Sequence, residues 1–307
     1  MGKPLLFSTE NYGALSRGIA QELGADLGEI ECRVFPDGER YHRINTPPDG
    51  RHCMLVGGTI DDGNTLEIYD LACGLVEGSA RRLTMVLPFL GYSTMERAVW
   101  PGEVVKAKTR ARLLSSVPIA AEGNQALLLD LHSEGLPYYF EGALNARHVY
   151  AKGLVLDACQ RLADDPVLGC TDAGRAKWVE SLALELGADV AVVLKRRSSD
   201  GSVVSGINAQ VERRRVVIYD DMIRSGSSLL GAAEVYHKAG ASSVVAVCTH
   251  GLFPGDALQR IRDSGLVERV VCTDSHPRAN TLADEFLEVV SVAPILARAL
   301  RATESKL

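Results

Sequence analysis

Read for its hydrophobic and polar positions, the chain alternates short apolar runs rich in β-branched residues with longer amphipathic stretches. Short apolar runs bounded by turn formers fit strands buried on both faces, and the longer amphipathic stretches fit helices laid over them. The pattern predicts strands over Leu83–Leu87, Ala126–Asp130, Val190–Leu194, Val216–Tyr219, Ser243–Cys248 and Val270–Cys272. It predicts helices over Asn11–Leu23, Thr65–Val76, Ala151–Leu162, Ala176–Leu186 and Ser228–Ala239. Gly24, Gly78, Gly187 and Gly240 stand just past four of these helices, and glycine most easily takes the left-handed conformation that closes a helix. Such alternation belongs to an α/β protein with doubly wound, mainly parallel sheets, which bind ligands at the carboxyl ends of their strands.

At roughly 100 to 200 residues per domain, a chain of 307 residues predicts two domains. Two segments are alike, Arg81–Leu87 and Arg214–Tyr219, each a basic pair before an apolar run late in its half of the chain, and they point to two related domains. The boundary is expected near Asn145 to Tyr150, giving domains 1–147 and 148–307, with the final helix able to pack on the N-terminal domain. A net charge of -6 lacks the positive field of a nucleic-acid binder, so a small anion met by local basic clusters is the better partner. No apolar run reaches the ~18 residues of a membrane span, and Met1-Gly2-Lys3-Pro4 lacks a signal core, so a cytoplasmic protein without membrane partners is expected. The seven cysteines are scattered and free of CxxC spacing, which implies neither a disulfide framework nor a zinc ribbon.

Chemistry concentrates in Val216-Val217-Ile218-Tyr219-Asp220-Asp221-Met222-Ile223-Arg224-Ser225-Gly226-Ser227-Ser228. A strand ends in two carboxylates, a turn of small hydroxyl residues and glycine follows, and a helix begins. The backbone N–H groups of such a turn, with a helix N-terminus behind them, suit a phosphate monoester, to which Ser225, Ser227 and Ser228 can add donors. Asp220 and Asp221 would then face a sugar, accepting hydrogen bonds from vicinal hydroxyls or holding magnesium. An acidic turn with a serine cap accounts for the same residues taken singly. Lys195-Arg196-Arg197, after the strand 190–194 and before the polar loop 198–202, reads either as a solvated basic turn or as a movable cationic clamp.

The stretch 216–228 resembles the ribose-5-phosphate loop of ribose-phosphate pyrophosphokinases and the related loop of type I phosphoribosyltransferases. Phe35-Pro36-Asp37-Gly38-Glu39, Asp130-Leu131-His132, Thr171-Asp172 and Lys195-Arg196-Arg197 resemble, in this order, the set carried by the pyrophosphokinases and not by simple transferases. Thr94-Met95-Glu96-Arg97, Thr249–Pro254 and Thr273–Pro277 look most like the plant-type class II enzymes.

The resemblance implies two domains of the type I phosphoribosyltransferase kind and transfer of diphosphate from ATP to ribose 5-phosphate. Asp220, Asp221, Arg224, Ser225, Gly226, Ser227 and Ser228 would hold ribose 5-phosphate, and Lys195 and Arg197 would be catalytic. Phe35, Asp37, Gly38, Glu39, Thr94, Met95 and Arg97 would address ATP, with the Phe35–Glu39 segment reaching an adenine across a subunit interface. His132 and Asp172 would position Mg2+ with the nucleotide phosphates. A homo-oligomer follows, a dimer at the least and a hexamer at the larger end. Arg224 stands where the family has an acid or amide, Ser227 where it has a glycine, and Thr94-Met95 where most members have Arg-Gln. These departures keep open a non-catalytic regulatory homologue, and the loop alone keeps open a phosphoribosyltransferase.

Overall fold

The computed structural model describes residues 3–198, 201–207 and 210–304, with the backbone alone at 173, 194–198, 201–207 and 304. Two compact units result: Met1–Tyr150 together with Ser291–Leu307, and Ala151–Val290.

The first unit contains β1 (Leu5–Ser8), α1 (Gly13–Leu23), β2 (Asp26–Leu27), β3 (Ile30–Val34), β4 (Arg40–Ile44), β5 (His52–Val56), α2 (Asp62–Glu77), β6 (Arg82–Leu87), α3 (Lys106–Ser115), β7 (Asn124–Leu129) and β8 (Leu144–Val149). The second contains α4 (Lys152–Leu162), β9 (Val167–Cys170), α5 (Ala176–Leu186), β10 (Asp189–Ser198), β11 (Gly201–Ile207), β12 (Arg215–Ile223), α6 (Ser227–Lys238), β13 (Ser243–Gly251), α7 (Ala257–Asp263), β14 (Val270–Thr273), α8 (Pro277–Leu282) and β15 (Leu287–Val290). Helix α9 (Ala293–Glu304) returns to the first unit.

The first sheet runs β2-β1-β5-β6-β7-β8 and is parallel throughout. The second runs β11-β10-β9-β12-β13-β14-β15, parallel except where β10 and β11 form an antiparallel hairpin at the edge. Strands β3 and β4 form a separate antiparallel ribbon. This is the α/β architecture that the hydrophobic pattern predicts.

Strand alternation explains the two-layered core of the second unit. On β12, Val216 and Ile218 join Leu229, Ala233 and Tyr236 of α6, whereas Val217 and Tyr219 join Val155 of α4 and Val179 and Leu182 of α5. A strand buried on both faces reads as an unbroken apolar run, and this one does. In the first unit, Leu55, Met85 and Leu128 of adjacent strands pack with Ile68, Leu71 and Leu75 of α2.

The predicted helix ends need one correction. Gly24, Gly187 and Gly240 adopt positive φ, but Gly78 has φ -74°, and Ser79 after it takes φ 68°. Gly78 is excluded from carrying a side chain by proximity instead, since a β-carbon there would lie 2.6 Å from Pro48 Cγ. Three predicted strands are also too short, and the first of them, β13, runs on from Cys248 to Gly251. Pairing carries β12 through both aspartates to Ile223, and it carries β10 through Lys195 and Arg197 to Ser198, so the basic residues are strand and not turn.

Candidate active site

In the second unit, β9 and β12 are neighbours, and their carboxyl ends bring Thr171 against Asp220. The Thr171 hydroxyl donates to Asp220 Oδ2 at 2.9 Å, and the Asp221 N–H donates to Asp220 Oδ1 at 3.0 Å. Each carboxylate oxygen has two lone pairs, so both retain acceptor capacity after these bonds. Arg175 closes the cluster with Nη2 2.6 Å from Asp221 Oδ2 and Nε 3.7 Å from Asp220 Oδ1. Successive strand residues face opposite sides of a sheet, and Asp221 accordingly points to the α5 side, where Arg175 precedes that helix. The Asp221 side chain is only 5% exposed against 17% for Asp220. The two acids therefore do not face a ligand equally, and Asp220 is the more open. Burial, and then the Asp221 charge, push the Asp220 carboxyl above its ordinary range, while Thr171 and Arg175 pull it back.

The turn after β12 reverses the chain in three residues. Gly226 has φ 79° at the N-cap of α6, and a β-carbon there would lie 2.6 Å from Ile261 Cγ1. Ser227 and Ser228 are the first two residues of α6, so their backbone N–H groups have no partner within the helix. The Ser225 and Ser227 hydroxyls lie 3.1 Å apart, with the Ser227 N–H 3.4 Å from Ser225 Oγ. Ser227 thus enters the helix start beside Ser225. Arg224 is exposed, and Arg260 from α7 donates to the Ser225 carbonyl at 3.3 Å.

Asp172 follows β9, and its Oδ1 accepts the Gly174 N–H at 2.8 Å. A bulge between Leu194 and Lys195 re-twists β10 where the basic triplet starts, and Lys195 and Arg197 pair with Val204 and Ser202 of β11. The Lys195 and Arg197 side chains, with Ser199 and Asp200, lie outside the described residues.

In the first unit, Phe35–Glu39 forms the tip of the β3-β4 ribbon. The Phe35 N–H donates to the Glu39 carbonyl at 2.8 Å, the Gly38 N–H to the Phe35 carbonyl at 2.9 Å, and the Glu39 N–H to Asp37 Oδ1 at 3.1 Å. The Phe35 ring is 44% exposed and meets Tyr41 edge-on at 6.2 Å. Turn chemistry thus accounts for Asp37 and Gly38, and leaves an aromatic face open to solvent. Thr94 and Met95 lie on the loop after β6, where the Met95 N–H donates to the Tyr92 carbonyl at 2.8 Å. Arg97 is exposed beside Glu96 at 3.7 Å. His132 follows β7 and is half-buried; its neighbour Leu131 donates its N–H to His148 Nε2 at 2.9 Å.

Arg175 and Arg260 were not legible in the motifs. Arg175 meets its partners on β12, and Arg260, paired with Asp256 at the start of its own helix, also reaches back to the turn before α6. Glu67 is buried at 3% exposure, where it accepts the Glu10 N–H at 3.2 Å and lies 3.7 Å from Arg40 of the ribbon. The cap of α2 is Asp61, which accepts the Asn64 N–H at 2.7 Å. The segments 249–254 and 273–277 build a buried seam instead of an open site: Thr273 donates to the Thr249 carbonyl at 2.6 Å, and His250 Nδ1 lies 2.8 Å from Ser275 Oγ.

Against known proteins, residues 5–117 match the model for the N-terminal domain of ribose phosphate pyrophosphokinase, and residues 180–306 match the phosphoribosyl synthetase-associated domain. The ribose-phosphate pyrophosphokinase of Corynebacterium glutamicum is 32% identical over 96% of this chain and 91% of its own length. Ribose-phosphate pyrophosphokinase 1, chloroplastic, of Oryza sativa is 31% identical over 95% and 74%. The crystal structure of phosphoribosylpyrophosphate synthetase from Mycobacterium smegmatis superposes with a TM-score of 0.87 at 27% identity, covering 99% of this chain and 100% of that one. Likeness of sequence over nearly the full length, and of fold over both units, places the chain in the ribose-phosphate pyrophosphokinase family.

Proposed function

We propose that the chain is an ATP-dependent ribose-phosphate pyrophosphokinase, making 5-phosphoribosyl 1-diphosphate and AMP. The observation that carries this reading is the order along one chain segment: Asp220, held by Thr171, is followed by a glycine turn and then by the first N–H groups of α6. An acceptor for hydroxyls and a donor set for a phosphate, one turn apart, fit the two ends of ribose 5-phosphate. The anomeric hydroxyl of the sugar attacks the β-phosphorus of ATP and gives up its proton to solvent, the bond from that phosphorus to the α-β bridging oxygen breaks, and AMP leaves. Asp220 orients the sugar, and residues 224–228 hold its 5-phosphate. Lys195 and Arg197 supply positive charge to the transferring group, where phosphoryl chemistry gains most from cations positioned in advance.

A divalent cation, taken here as Mg2+, would be held by Asp172 through water and would offset charge on the phosphates. Among the described residues no three His, Cys, Asp or Glu side chains gather into a cage. Magnesium fits such a site, because it keeps several waters and takes one or two carboxylates plus phosphate oxygens. The exposed Phe35 supports adenine stacking in a dimer or larger homo-oligomer. The motifs at 94–97, 249–254 and 273–277 support a plant-type class II member. Among the described residues no helix is long and apolar enough to cross a membrane.

AMP release from ATP, measured with and without ribose 5-phosphate, tests the reading. Release that requires the sugar supports it. No release with several nucleotide donors would favour a regulatory homologue, with Arg224 and Ser227 as its first suspects.

A further inference from the structure

We propose that Arg175 is a positioning residue for the sugar, holding the Asp220–Asp221 pair so that Asp220 stays an acceptor for the ribose hydroxyls. The inference rests on the ribose 5-phosphate reading of this site and adds a residue that none of the motifs contains. Arg175 reaches both acids, at 2.6 Å from Asp221 and 3.7 Å from Asp220, with its own side chain only 18% exposed. Two consecutive, largely buried carboxylates repel each other, and without a nearby cation one of them takes up a proton.

A guanidinium suits this place better than an ammonium, since its fork meets two carboxylates from one plane without surrendering charge. With Arg175 on the α5 side and Thr171 and the Asp221 N–H on the Asp220 oxygens, three groups fix Asp220. Lone pairs remain on both Asp220 oxygens, enough for two vicinal hydroxyls. Removing Arg175 leaves the two carboxylates to share a proton between them, which ties up acceptor positions on Asp220 that the sugar hydroxyls would use. The loss falls on the sugar's hydroxyls and spares its phosphate, because the 224–228 turn is built from other residues.

Calorimetry with ribose 5-phosphate and with 2-deoxyribose 5-phosphate, which lacks one hydroxyl, reads this directly. Wild type should prefer the ribose form, and Arg175→Met should weaken ribose 5-phosphate by about tenfold while moving the deoxy sugar by under about threefold. Arg175→Lys, which keeps the charge and loses the fork, should fall between them, and it carries the test if Arg175→Met does not fold. Equal weakening of both sugars would reveal a merely structural residue, and no weakening an idle one; either overturns the inference alone. A wild type that binds neither sugar overturns the ribose 5-phosphate reading itself, and the inference with it.

Discussion

Ile261 of α7 occupies the space that any side chain on Gly226 would need, with its Cγ1 2.6 Å from a β-carbon built there. The glycine is required twice, by this contact and by a φ of 79°. Gly226→Ala should cost about 2 kcal/mol or more in urea unfolding and weaken ribose 5-phosphate binding in step. Adding Ile261→Ala should relieve the contact but not the backbone strain, so binding should recover only in part. A fully active, fully stable Gly226→Ala would show that the turn adopts another shape.

Asp220→Ala should raise the dissociation constant for ribose 5-phosphate by about tenfold or more and leave that for ATP nearly unchanged. In the proposed site the carboxylate addresses sugar hydroxyls and adenine contacts lie elsewhere. Titration calorimetry with each ligand separates the two. Equal losses would reassign Asp220 to support of the fold or of a metal.

Lys195→Ala should lower kcat by roughly a hundredfold with little change in KM for ribose 5-phosphate, the signature of a contact made mainly in the transition state. Steady-state kinetics on purified protein decides it. A variant matching wild type would make the basic stretch of β10 a solvated strand edge.

EDTA should abolish AMP release, and Mg2+ should restore it, because the proposed site would set carboxylates beside polyphosphate, where a cation offsets the repulsion. Turnover in metal-free buffer would exclude the mechanism proposed above.

Acid should destabilise the protein well above the pH at which carboxylates titrate. His52, 6% exposed and 2.8 Å from Thr84 Oγ1, is pushed down to about 4 by burial and then by Arg82 and Arg81. His276 is pushed down to about 4 by burial, His250 and Arg278. Between about pH 6.5 and 4 the unfolded chain binds protons that these folded histidines refuse, so stability falls as pH falls, by on the order of 3 kcal/mol for each. Asp220 has the opposite sign: its raised carboxyl stabilises the fold at low pH and loses that contribution as pH rises, offsetting part of the slope. Urea midpoints from pH 7 to 5 should fall, and His52→Gln should flatten the curve. A flat wild-type curve would contradict the burial of both rings.

The fold was legible where side chains and backbone agree. Helix 176–186 and its closing Gly187 coincide with prediction because an amphipathic stripe and a left-handed glycine mark the same boundary. Strand ends were not, because ladder hydrogen bonds continue through Asp220–Ile223 and Lys195–Ser198 after the apolar run stops. The strands β1, β5 and β9 lie outside the predicted set, because Ser8, His52 and Gly169 interrupt or shorten their apolar runs. At the site, Asp220 and Gly226 stood in a local motif that spacing reveals. Arg175 meets Asp221 only through the pairing of β9 with β12, a relation no local window contains.

The return of α9 to the first unit gives synthesis a nested order. Helix α1 lies against α9, with Gly18 close to Ala293 and the Glu22 carbonyl accepting from Arg301. As the chain leaves the ribosome, residues 151–290 are all present before the first unit has its last helix. The domain that begins first is therefore completed second, and until then α1 holds one face ready for a segment that has yet to be translated.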